Sequence, residues 1–485
     1  MRKLLGSTLA LGLLLGMAQP AQAGEVTRVA TAFEEENRFD FYFGVAYDYN
    51  FKRAAILREW NTGNPQDQEN RLVKDLVFQQ QRHIVTPSLE FGFWHDFSVY
   101  AALPIVAYDQ SLYAFDQRAD NCVFGDDGAF PDTNCVNKDN STTIRDGILP
   151  RNGFDATDTG DPFGQFTSPD TQRIFAGPVR RGLDQLHVGL KFGLMSQRRF
   201  SHLPNWIIGL EGRFAIGRAM TFTREIETGA PAGNKRVGRR IHELGIWTAL
   251  SRRYRFLEPF FTAYWRQALR ASGSQFQKIS DGSQDLVNPQ STAGVTVGAE
   301  IVPWERKAKS QKVSIFVQGL AALHYGGRGY SEMWQIFADS PALVGKANPA
   351  GPGRCDPASA VAAAETNPGD TDAYLQAASQ GGAACMRFSG VTDLQDYATF
   401  GLNLALNVHM GKYARMMLGT RLRTDTRHFI TFTDRGDDKN GNDQVDPDTD
   451  EVNPLRRDII DNVGRRYVVA DVLDVYPYLN FLLTF

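Results

Sequence analysis

Charged residues recur at one parity inside stretches that otherwise alternate apolar and polar: Glu90, Lys191, Glu211, Arg213, Glu243, Glu258, Arg266, Glu300, Arg415, Arg421, Arg423 and Asp425. Successive side chains of a strand point to opposite faces, so a shared parity gathers these groups on one side. An Arg facing lipid would cost roughly 2–4 kcal/mol at the bilayer midplane, so the segregation fits a barrel that keeps its charges inside. Two chemistries are open. The charges line a lumen that selects solutes by sign, or Glu and Arg pair across a narrow interior and fill it. Arg415, Arg421 and Arg423 lie on one strand, and in an open lumen that ladder favours anionic solutes.

A second cluster lies in the acidic stretch 434–451. Asp438, Asn440, Asn442 and Asp446 bring oxygens together at short intervals, and Ca²⁺ takes six to eight oxygen ligands. The stretch resembles a calcium loop of the EF-hand or dockerin kind, with Val445 at the apolar position. It departs from that pattern at Asp443, where the turn glycine belongs, and at Thr449, where the closing glutamate belongs. The other reading is a solvated acidic loop, and both stand at this point. No further cofactor is expected. His83, His95, His202, His324, His409 and His428 lie outside any His-x-Ser or Gly-x-Ser-x-Gly context, and zinc spacing, phosphate loops and dinucleotide motifs are missing, so no enzyme is expected.

The elements that must position these groups are strands. Phe39 to Phe51 alternates aromatic and polar residues, and Pro87, Leu89, Phe91 and Phe93 alternate up to a turn at His95-Asp96. Further alternating runs begin near Val99, Leu186, Trp206, Leu244, Leu257, Val295, Val313, Phe400, Met416 and Val475. Short connections alternate with long ones, and the long ones include 109–183, 326–392 and 433–463. The spacing therefore predicts an all-β fold: a transmembrane, antiparallel, up-and-down β-barrel of about twelve strands over residues 38–485, with short periplasmic turns and long extracellular loops. Loops this long are unusual in a compact domain and suit external surface structure.

Residues 1–23 read as a signal peptide: a charged start at Arg2-Lys3, an apolar run, and Ala21-Gln22-Ala23 before the cut. Residues 24–37 read as a periplasmic lead. The four cysteines fall into two local pairs, Cys122 with Cys135 and Cys355 with Cys385, and local disulfides are the favoured connectivity in an exported chain. Mean hydropathy is −0.33, as expected when only alternate residues face lipid. A net charge of −3 gives no reason to expect nucleic acid.

The chain ends V-Y-P-Y-L-N-F-L-L-T-F. Phe481, Leu483 and Phe485 complete an apolar face on the last strand, which resembles the closing strand of Gram-negative outer-membrane β-barrels. That resemblance implies recognition by the barrel assembly machinery, contact with outer-membrane lipid and lipopolysaccharide, and outer-membrane localisation. Gly182 to Leu194 is also similar to a glycine-rich strand of phenol-degradation-pathway outer-membrane transporters. The expected function is a passive channel or uptake porin for small solutes, anionic or aromatic. The competing expectations are a closed barrel whose loops display a surface to envelope or surface proteins and, third, an enzyme sited at the rim.

Overall fold

Strict alternation makes each stretch half-apolar, and a sheet with one apolar face is stable in lipid only if it closes on itself, because an open edge would leave backbone groups unpaired. The computed structural model describes residues 26–30, 40–60, 71–94, 96–116, 136–137, 140–149, 173–197, 200–224, 232–279, 283–367 and 370–485. In it the sheet closes. The barrel strands are β1 (Asp40–Trp60), β2 (Arg71–Trp94), β3 (Phe97–Ala102 continuing as Ile105–Phe115) and β4 (Arg180–Leu183 continuing as Gln185–Met195). They continue as β5 (Asn205–Ala215), β6 (Ile241–Ser251), β7 (Leu257–Arg270), β8 (Ser291–Arg306), β9 (Gln311–Tyr325), β10 (Tyr397–Met410), β11 (Ala414–Asp425) and β12 (Tyr467–Thr484). All neighbours are antiparallel, and β1 pairs with β2 on one side and β12 on the other, giving a closed barrel of 12 strands. Phe43, for example, faces Leu89 in β2 and Leu483 in β12.

The two faces sort as the alternation demands. On β10, Phe400, Leu402, Leu404 and Leu406 stay exposed while Asn403, Ala405 and Asn407 are buried. On β12, Leu479 and Phe481 point out while Tyr478, Asn480 and Leu482 point in. The last residue is tied into the closure: Phe485 and Phe41 exchange backbone hydrogen bonds of 2.8 and 3.1 Å, and their rings stack at 5.8 Å. No helix among the described residues is long and apolar enough to cross a membrane. The chain folds as a closed, antiparallel β-barrel.

Several strands outrun their alternating cores. β1 continues to Trp60 and β2 begins at Arg71, well before the alternation becomes visible at Pro87. β3 likewise continues through Asp109 to Phe115, and β4 begins at Arg180, inside the span read as loop. Beyond the bilayer the outer face meets water and no longer needs to be apolar, so the Gln79-Gln80-Gln81-Arg82-His83 run keeps its ladder to β1 without the hydrophobic signature.

The long connections carry α1 (Thr142–Arg145), α2 (Trp334–Phe337), α3 (Pro357–Thr366), α4 (Thr371–Ala378) and α5 (Asp458–Asp461). Asp356 and Asp370 cap α3 and α4, accepting from Ala358 and Ala373 backbone N–H at 3.1 and 2.9 Å. A disulfide between Cys355 and Cys385 closes this subdomain. The signal-peptide stretch 1–23 and the Cys122–Cys135 pair lie outside the described residues.

Candidate functional site

Strand parity carries the charged side chains into the interior, and they meet there as pairs. Lys191 Nζ lies 2.6 Å from Glu90, which also accepts from Ser98 Oγ at 2.8 Å. Arg213 bridges Glu211 at 2.6 Å and Glu243 at 3.4 Å, and Arg266 reaches Glu243 from the next strand, also at 3.4 Å. Tyr100 donates to Glu211 at 2.6 Å. Ser251 donates to Glu258 at 2.9 Å, and Lys312 lies 2.8 Å from a fully buried Glu300 that also accepts from Ser314. Buried charges persist in folded proteins when they are paired and hydrogen-bonded, and the Glu90, Glu211, Glu243 and Glu300 carboxylates are each paired with a Lys or Arg.

The arginine ladder is engaged differently. Arg421 pairs with Asp48 at 3.0 Å and lies over the Tyr478 ring, while Arg423 lies over Tyr476. Arg415 is half-buried near the short-turn end of the same strand. Asp425, at the outer end, accepts from Thr399 at 2.6 Å and from Lys52 at 3.3 Å. The guanidiniums are thus held against tyrosine faces as much as against carboxylates.

Two chain segments fill the two ends of this lumen. At the short-turn end, residues 26–30 lie inside the barrel, where the sequence suggested a periplasmic lead. Thr27 hydrogen-bonds Ser251 at 2.7 Å, the Ala30 N–H donates to Glu90 at 3.1 Å, and Arg28 sits 4.4 Å over the Tyr42 ring. Val26 packs on the Phe260–Phe316–Tyr478 cluster and Val29 against Trp247. At the outer end, the connection between β9 and β10 turns inward. Met333, Trp334, Ile336 and Phe337 are buried against Ile56, Leu76, Phe78, Tyr113 and Val469 of the wall. Glu332 anchors this insertion: its carboxylate lies 2.8 Å from Lys52 and its carbonyl accepts from Tyr113 Oη at 2.6 Å. Beneath it lies a polar cavity of about 270 Å³, lined by Lys52, Arg82, Asp109, Asp184, Arg239 and Glu332 among others. Arg82 pairs with Asp109 at 2.7 Å and Arg239 with Asp184 at 2.6 Å across its wall.

Sequence reasoning did not find Lys52, Glu332 or Thr27. Lys52 was accessible, since it continues the Asp48–Asn50 parity by one step. Glu332 and the lead carry no periodic signal, because an inserted segment is read by shape complementarity rather than by its own pattern.

The acidic loop folds around Asp438, which accepts backbone N–H groups of Asn440, Gly441, Asn442 and Asp443 at 2.7–3.3 Å. Asp443 takes the left-handed backbone, φ 62°, that the glycine position of such loops uses. Glu451, two residues beyond Thr449, accepts from the Lys439, Asn440 and Asp446 N–H groups at 3.1, 3.1 and 2.9 Å. Asn440 and Asn442 both donate to Asp446, at 2.7 and 3.2 Å. The four residues singled out from sequence come together as a self-hydrogen-bonded turn. Among the described residues no group of three or more His, Cys, Asp or Glu side chains is arranged to hold a metal ion.

No family model matches the sequence, and no curated protein matches it. Among solved structures, the chain is similar to an outer membrane channel of Pseudomonas putida F1, at 7% identity over 92% of this chain and 95% of that one, with a TM-score of 0.35. It is also similar to a Pseudomonas aeruginosa FadL homologue (8% identity, 92% and 90% covered, TM-score 0.30) and to the outer membrane protease OmpT of Escherichia coli (7%, 92% and 97%, 0.26). Likenesses this distant carry no argument, and the fold rests on the closed sheet itself.

Proposed function

We propose that this barrel is an outer-membrane channel for small solutes, held closed by its two inserted segments. The observation that supports it is how the lumen is filled. The wall contributes a paired network, while the ends are occupied by separate pieces of chain: Thr27, Arg28 and Ala30 make the polar contacts at one end, and at the other Glu332 and the α2 segment pack into the outer apolar cluster, with Arg224 donating to the Ile336 carbonyl. Neither piece belongs to the barrel's hydrogen-bond ladder, so either can move without breaking a wall strand, whereas a barrel filled by its own wall cannot open. The cationic Arg421 and Arg423, with Lys52 and Arg239 further out, favour anions along the path. The rim-enzyme reading has little to work with: His83 bonds Tyr47 Oη at 2.8 Å and packs at a tilt against Tyr49, and His428 stacks on Tyr397.

The surface-display reading has one observation in its favour, the separately packed α3–α4 subdomain with its own core of Val344, Ala360, Tyr374 and Ala378. Planar-bilayer recordings in a salt gradient separate the two. The channel reading expects anion-selective openings whose selectivity shifts severalfold toward cations in Arg421→Ala/Arg423→Ala. Correctly folded, heat-modifiable protein that never conducts, even with the segments displaced, favours the display reading.

A further inference from the structure

Outside the lumen, the long-connection side carries a cleft of about 610 Å³ between the disulfide-closed subdomain and the acidic 434–462 connection. Five cationic side chains line it, Lys346, Arg354, Arg435, Arg456 and Arg457, against two anionic ones, Asp448 and Asp458. Both carboxylates are mostly exposed, and each is met by a single cation: Lys346–Asp448 at 2.8 Å and Arg456–Asp458 at 2.7 Å. Exposed pairs of this kind contribute little and can exchange for a better anion. Arg354 and Arg435 are exposed to the cleft's solvent.

Arg457 differs from the rest. It is 7% exposed, and its guanidinium is held by three carbonyl oxygens, those of Leu343 at 2.7 Å, Pro454 at 2.8 Å and Arg456 at 2.7 Å. Its Nη2 is buried without a hydrogen-bond partner. Gly345 leaves the room for it, since a Cβ at that position would lie 2.3 Å from Nη2. Burial draws the guanidinium down to about 10, so it remains charged at neutral pH. The buried Arg457 charge adds to the excess of positive charge along the cleft wall, which a bound anion offsets.

We propose that this cleft binds a small soluble anion bearing two or three carboxylates. Several guanidiniums present paired donors that match carboxylates in a way a lone ammonium does not. The volume lies within the range of pockets that enclose organic ligands and far exceeds what one inorganic oxyanion fills. Val344, Val445, Val452, Pro349, Pro447 and Pro454 supply the apolar remainder of the wall, suited to a carbon skeleton. As a capture site for an uptake channel the cleft depends on the reading above; as a binding site it does not.

The test is calorimetric titration of the full-length, detergent-folded protein with citrate, acetate and inorganic phosphate at equal ionic strength. Citrate is expected to bind saturably, at least tenfold tighter than acetate or phosphate, and Arg354→Gln/Arg435→Gln to weaken it at least tenfold. Both positions are exposed, so the double variant keeps its fold, checked by unchanged heat modifiability. Absence of saturable citrate binding, or equal affinity in the double variant, would overturn the assignment. So would phosphate binding as tightly as citrate, which would mark a site for phosphate groups such as those of lipopolysaccharide. Protein that conducts but does not bind citrate loses this assignment alone. Protein that binds citrate but never conducts loses the channel reading alone.

Discussion

At the residue scale the interior is a set of charges that depend on one another. Glu300 is fully buried and holds Lys312 at 2.8 Å, so Glu300→Ala leaves an ammonium buried without its carboxylate. Breaking a buried pair from one side costs about 3 kcal/mol or more, and the expected outcome is a clearly lowered midpoint in urea unfolding followed by gel mobility. An unchanged midpoint would mean that water already reaches Lys312. In the outer loops, Asp461 accepts from the Thr433 and Arg457 N–H groups at 3.1 and 2.8 Å, yet burial dominates and pushes its carboxyl from 3.8 up to about 7. An acid whose pKa is raised by folding binds its proton more tightly in the folded loop. Its contribution is therefore full below about pH 4 and is lost as pH rises through 7. Hydrogen exchange at 456–462 should accelerate severalfold between pH 5 and pH 8, after correction for intrinsic rates, and Asp461→Asn should flatten the change.

At the element scale, what could be read in advance depended on whether an element meets lipid. β10 and the Val475–Thr484 part of β12 alternate because one face is dry there, so their parity, and with it the inner position of residues such as Asn403 and Asn480, is visible in the chain. The outer halves of β1, β2 and β3 stand in water on one side and packed loop on the other, which erases the alternation although the hydrogen-bond ladder continues to Trp60, Arg71 and Phe115. The inserted α2 segment and residues 26–30 were illegible for a different reason. Their place is set by what they fill, and nothing local in Ser331-Glu332-Met333-Trp334 or Thr27-Arg28 says that a lumen surrounds it. The Cys355–Cys385 pair shows what short-range spacing does convey, since the bridge closes α3 and α4 over a separation of 30 residues. Reduction should expose 355–385 to limited proteolysis within minutes while leaving the heat-modifiable barrel intact. Loss of the barrel's mobility shift on reduction would mean that the subdomain and the barrel unfold as one unit.

At the scale of the whole molecule the charges are distributed by side. The short turns carry Arg252, Arg253, Arg255, Arg306, Lys307, Lys309 and Lys412 beside exposed Tyr254, Phe256, Trp304 and Tyr413, while the opposite end carries the acidic 434–462 connection. Aromatic and basic residues together favour a membrane–water interface, which fixes the barrel's depth and leaves the loops free on the other side. Between these ends lies a charged lumen with a segment packed into each mouth, and we propose that these segments, not the wall, keep it shut. Single-channel conductance decides between segments and wall, with wild-type protein compared against a variant that lacks residues 26–30 and has residues 332–338 replaced by a short Gly-Ser link. Rare, brief openings are expected in the wild type and sustained, anion-selective conductance in the variant. A folded variant as silent as the wild type would show that the paired wall itself fills the barrel, and a wild type already conducting steadily would show that the segments do not close it.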